Sequence, residues 1–173
     1  MKSVRWLVTA VLAGLLALTG CSTPGAGVAA TVNGVSIPVA RIEAPVKTLG
    51  SDDGDVAGAH ATVLSYAIRA EVARVIAAQQ NIQLTGDPRT AFLTANPNLA
   101  PYASDPTVSG FIDDVADTSI VTQKVGEQAF LDVMKTADVR VNPRYGSWSV
   151  DAAAVAESGG QLSEPWVTPS PPG

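Results

Sequence analysis

A mostly α-helical domain with a small antiparallel β element is the fold class this sequence predicts, and three observations predict it. Apolar residues recur at helical spacing over long stretches, as in Leu64, Ile68, Val72 and Ile76, which sets them along one face of a 3.6-residue helix. An Asn33-Gly34 pair stands between Val32 and Val35. A type I′ turn needs positive φ at both central residues, and Asn-Gly between β-branched residues is the strongest local hairpin signal. Near the other end, Asp138-Val139-Arg140-Val141 alternates polar with apolar, the mark of a half-buried strand.

The first 20 residues stand apart from that domain. Lys2 and Arg5 precede an apolar run from Trp6 to Leu18, shorter than the roughly 20 residues of a spanning helix and built like an export signal. The run closes on Leu18-Thr19-Gly20-Cys21, which resembles the lipobox of bacterial lipoproteins. That resemblance implies cleavage between Gly20 and Cys21 and a diacylglycerol thioether on the Cys21 sulfur. The address it implies is the extracytoplasmic face of the cell membrane, where two acyl chains anchor stably and one does not. Residues 21–28 read as a flexible tether of small residues, holding the domain about 15 Å from the bilayer.

The domain itself reads as residues 29–149. After the hairpin, Val39, Ile42, Val46 and Leu49 form a stripe, with Pro38 in the first helical turn and Pro45 shortening or kinking the helix. Gly50 to Gly58 is a loop. Ala59 to Gln80 is the strongest helix, closed by Asn81 in a left-handed cap. Residues 81–106 are mostly irregular, although Pro88 to Thr94 allows two helical turns and Asp105-Pro106 fits a cap followed by a first-turn proline. The stripe from Phe111 to Met134 slips near Asp117-Thr118-Ser119, which predicts a kink or a fresh helix start there. After Val141 the run Asn142-Pro143-Arg144-Tyr145-Gly146-Ser147-Trp148 turns the chain. Residues 150–173, rich in Ala, Gly, Ser and Pro, read as a disordered tail with little to bury.

Charge narrows the partners. The chain has 11 Lys and Arg against 16 Asp and Glu, a formal charge of −5, and losing Lys2 and Arg5 with the leader makes the remainder more acidic still. An acidic chain without a basic cluster has no electrostatic footprint for nucleic acid. No glycine-rich phosphate loop points to a nucleotide. Acylation leaves no thiol for a disulfide, a nucleophile or a metal, so no cofactor is expected.

Chemistry-bearing residues are few. His60 is the one histidine, and a single His is far more often hydrogen-bonded scenery than a ligand or base. Asp52-Asp53-Gly54-Asp55 superficially resembles a calcium loop but lacks the closing bidentate Glu. Asp113, Asp114 and Asp117 offer neighbouring carboxylates, of a kind usually solvated on a helix face. No Gly-x-Ser-x-Gly elbow is present for a hydrolase. The sequence therefore reads as no enzyme. For binding an apolar client, Phe111 and Met134 are the candidate rim residues. Phe130 reads as core, and Tyr145 and Trp148 as packed parts of the closing turn.

The order of Val32-Asn33-Gly34, several helices, then Val141-Asn142-Pro143-Arg144-Tyr145-Gly146-Ser147-Trp148 resembles the N-terminal domain of SurA-like periplasmic chaperones, in their actinobacterial lipoprotein form. The resemblance spans about residues 29–149. It implies a SurA/trigger-factor-like helical chaperone domain whose end strands pair, and Pro38 departs from the usual Ser or Thr cap. Relatives that isomerise prolyl bonds carry a parvulin domain after this module, and the tail here is too short to hold one. The expected function is a membrane-anchored, ATP-independent module binding unfolded exported polypeptides without catalysis. The alternative is a cell-envelope scaffold lipoprotein with one dedicated folded partner.

Overall fold

In a computed structural model, residues 24–50 and 56–156 are described. The Gly20-Cys21 processing site, the Asp52-Asp53-Gly54-Asp55 loop and residues 157–173 lie outside the described residues. The domain is mostly helical with a small antiparallel sheet.

Strands β1 (Val28–Val32) and β2 (Val35–Pro38) form the hairpin. Asn33 and Gly34 both take positive φ, 49° and 84°, as a type I′ turn demands. The closing strand β3 (Val139–Val141) lies antiparallel on the other edge of β1, with Val32 opposite Val139 and Ala30 opposite Val141. Two asparagines fasten this junction beyond the ladder. The Asn33 side chain accepts from the Asp138 amide at 2.9 Å, and the Asn142 side chain donates to the Val28 carbonyl at 3.1 Å. The sheet order β2-β1-β3 therefore brings the two end motifs together.

The tether is shorter than the sequence implies. Val28 N–H donates to the Gly25 carbonyl and Val39 N–H to that of Gly27, at 2.9 and 3.0 Å. Residues 25–28 thus belong to the fold, since their backbone groups are spent on it. Pro38 closes β2 rather than opening a helix.

Helix α1 (Ala40–Leu49) carries Pro45 inside it and buries Ile42, Pro45 and Val46. The central element is α2 (Val56–Gln80), ended by Asn81 at φ 56°. Ala61, Ala67, Ala70, Ala73 and Ala77 are buried around it, and their small side chains let sheet and helices approach from several sides. Helix α3 (Asp87–Ala95) follows Gly86, and a 3-10 turn at Ala100–Ser104 leads on. Asp105 accepts from the Thr107 amide at 2.8 Å and so caps the turn preceding α4 (Ser109–Val125). The break before α5 (Glu127–Thr136) falls at Gly126, φ 89°, and not at Asp117-Thr118-Ser119. The apolar stripe slips at those residues because Asp114, Asp117 and Thr118 occupy buried positions on α4.

Past Val141 a 3-10 turn, Pro143–Tyr145, leads into β4 (Ser147–Ser149). A boundary at 149 is corrected by β5 (Ala154–Ala156), which pairs antiparallel with β4 and buries Ala153 and Val155. Ser65 on α2 accepts from the Val155 amide at 2.8 Å, and Arg69 donates to the Ala153 carbonyl at 2.8 Å. Gly146 makes the pairing feasible. Its φ is 120°, and a Cβ there would sit 2.2 Å from the Ala156 carbonyl oxygen, so no side chain fits.

Candidate binding groove

Four helices leave a groove of about 430 Å³ between them. Tyr66 and Arg69 of α2 form one side, Val115, Thr118, Ser119 and Thr122 of α4 the floor, Phe130 and Leu131 of α5 an end. Phe92 and Asn96 of α3, with Leu99, cover it. Helical spacing explains the floor: positions 115, 118, 119 and 122 recur every three or four residues, so one stripe of α4 faces the space.

The polar groups in this lining are largely spent locally. Thr118 Oγ1 donates to the Asp114 carbonyl at 2.8 Å, Asn96 Nδ2 to the Phe92 carbonyl at 2.8 Å, and Gln123 Nε2 to Ser119 Oγ at 3.1 Å. Arg69 is held on the Ala153 carbonyl and over the Tyr66 ring, 5.7 Å from its centroid. The groove therefore offers aromatic and aliphatic surface, with Thr122 and the Glu127 carboxylate as its remaining polar lining, and its larger apolar part suits apolar side chains.

The rim residues expected from sequence are elsewhere. Met134 is 1% exposed and belongs to the core with Phe130, because the hydrophobic face of α5 turns inward. Phe111 is half-buried and packs edge-on against Tyr66, centroids 5.8 Å apart. It supports the groove wall from behind and does not line it. Tyr66, Phe92, Leu99 and Val115 were not legible as lining residues, since a groove is defined by four helices that meet only in the fold.

Beneath the groove lies a network of ion pairs. Arg41 reaches Glu71 at 2.6 Å and also binds Asp114. Arg74 binds Asp114 at 2.7 Å, Asp117 at 2.8 Å and Glu71 at 2.9 Å. Arg89 binds Asp113 and Asp117. Asp114 and Asp117 are buried, which corrects the reading of these carboxylates as solvated. Burial pushes both carboxyls above the ordinary aspartate range, against the pull of the guanidiniums. A raised carboxyl contributes stability present below its unfolded pKa and lost as pH rises through its folded one. The ionised network thus fixes how α1, α2, α3 and α4 meet, at an electrostatic cost.

A second cluster ties the closing turn to α1 and α2. Tyr145 Oη donates to Glu43 Oε1 at 2.7 Å, His60 Nε2 lies 3.1 Å from Glu43 Oε2, and His60 Nδ1 lies 2.7 Å from the Val56 carbonyl. These contacts occupy His60, and among the described residues no group of three or more His, Cys, Asp or Glu could hold a metal. The Tyr145 hydrogen bond, then that of His60, hold Glu43 below the usual carboxylate range. Burial, then the Glu43 carboxylate, push the Tyr145 phenol up to about 12.

That shift carries a prediction with its sign. A raised phenol contributes stability fully present below its unfolded value near 10 and lost as pH rises through its folded one. The denaturant midpoint is expected to fall between pH of about 10 and 12, with less of a fall in Tyr145→Phe. An identical alkaline fall in both proteins would show that Tyr145 does not titrate against Glu43.

Among the described residues no helix is long and apolar enough to cross a membrane. No family model, no curated protein and no solved structure matches this chain.

Proposed function

We propose that this chain is an acylated, extracytoplasmic binding module that holds apolar stretches of unfolded exported polypeptide near the membrane, without ATP and without catalysis. One observation carries the reading. The groove is lined by Tyr66, Phe92, Leu99, Val115 and Leu131, and the side chains of Thr118, Asn96, Ser119 and Gln123 beside them are bonded locally. Its volume suits a few side chains of an extended segment rather than the flat face of a folded partner. The likeness of the two end motifs to SurA-like chaperones supports the same reading, and so does their pairing through β1 and β3. Cys21, exposed by cleavage after Gly20, supplies the anchor.

The experiment uses the mature protein with Cys21→Ser, which is expected to leave the membrane fraction. Aggregation of an unfolded exported protein is followed by light scattering at low and high salt. Suppression is expected at both, because screening weakens exposed charge pairs and leaves apolar contacts standing. No suppression at either salt, with tight binding to one folded envelope protein, would turn the account to the scaffold reading. Prolyl isomerase turnover would contradict both.

A further inference from the structure

We propose that α3 and the 3-10 turn after it, residues 87–104, are a lid over the groove that lifts as a unit, latched by Arg89 and Phe92. Between Ala77 and Val108 the single buried side chain is Phe92. Ile82 and Leu84, which pack against the core, lie before the segment; within 87–104 Phe92 is helped by the half-buried Leu93 and Leu99, and weakly anchored segments open without global unfolding. Space lies on both sides of it. The groove of about 430 Å³ touches one side of α3, and a second cavity of about 540 Å³ lies between Ala91 and Ala95 of α3 and Ile120 and Lys124 of α4. Side chains facing open, solvent-filled space lack the protein neighbours that a packed interface would give them.

The second anchor is Arg89, whose guanidinium binds Asp113 and Asp117 on α4 while its Nε donates to the Leu84 carbonyl at 3.3 Å. Gly86, at φ 69°, gives the segment a pliable start, and at its other end the helical turn stops at Asp105, extended at φ −83°, ψ 115°. Phe92 and Asn96 line both cavities, so lifting them joins the two into one longer channel along α4. Asp117 keeps its Arg74 partner when Arg89 leaves, which confines the cost of opening to the lid. The lid is a lid over the proposed client site, and to that extent rests on that reading. Its motion does not.

Hydrogen exchange of the whole chain, with no client present, tests it. In the wild type the amides of 90–104 are expected to exchange at least about 100-fold faster than those of 63–77 in α2, and Arg89→Met to speed the lid about tenfold more while leaving α2 unchanged. Asp113→Asn removes one arm of the latch at an exposed carboxylate and is expected to act in the same direction, more weakly. It decides the matter if Arg89→Met fails to fold. Lid amides as slow as those of α2, or equal acceleration of both regions in the variants, would overturn the proposal. A lid that moves while no polypeptide binds would instead count against the function proposed for the groove.

Discussion

Asp114→Ala is expected to destabilise the domain by about 3 kcal/mol, because two arginines lose the buried carboxylate on which both converge. Arg41 and Arg74 both converge on Asp114, and its side chain is 2% exposed. Removing one partner of a buried pair leaves an uncompensated charge, which costs far more than the pair itself contributes. Glu71 binds both arginines as well and Asp117 stays with Arg74, and they offset part of the loss. Asp113→Asn, at the exposed edge of the same network, is expected to cost at most about 1 kcal/mol. Urea unfolding of the two variants checks this. Similar midpoints would show that the network is solvated and does not organise the helices.

The second large effect concerns where the domain stops. A chain ending at Ser149 is expected to lose about 3 kcal/mol or more, from the buried Val155 side chain and from polar groups left unpaired on α2. It loses β5 and, with it, the partner of β4. The Ser65 hydroxyl gives up the Val155 amide, and Arg69 gives up the Ala152 and Ala153 carbonyls. A chain ending at Ala156 keeps all of these and is expected to melt within a few degrees of the full mature protein. Equal melting of the two truncated chains would mean that β5 adds nothing to the fold.

What was legible in the sequence is what local rules determine. Asn33-Gly34 announces its own turn because few residues tolerate two successive positive φ values, and the α2 stripe announces its helix through period alone. The approach of β3 to β1 followed from the likeness of the end motifs. The ion network was not legible, because Arg41, Arg74 and Arg89 stand on three helices and meet Asp114 and Asp117 only after folding. From sequence those aspartates are indistinguishable from a solvated helix face. Gly126 does not announce the break, because an isolated glycine inside an apolar pattern is usually tolerated. β5 was hidden for a different reason: it is held by backbone pairing and two small buried side chains, Ala153 and Val155, which leave almost no mark in composition.

The same limit applied to the site. Aromatic and sulfur-bearing residues drew attention to Phe111 and Met134, yet one supports Tyr66 and the other fills the core. The groove floor is drawn from a modest stripe of valine, threonine and serine on α4. Its character depends on where hydroxyls spend their hydrogen bonds, which is a property of the folded backbone.

The central claim is that the groove is where an unfolded segment binds. Val115 is half-buried and lines it, whereas Val133 is 40% exposed on α5 and lies outside it. Binding of a fluorescent, uncharged apolar peptide should therefore be measured by anisotropy for the wild type, Val115→Glu and Val133→Glu, with the fold of each checked by its urea midpoint. The account predicts that Val115→Glu weakens binding at least about tenfold, or about 1.4 kcal/mol, by placing a carboxylate where an apolar client side chain would lie, while Val133→Glu binds like the wild type. Equal affinity for all three folded proteins would contradict it.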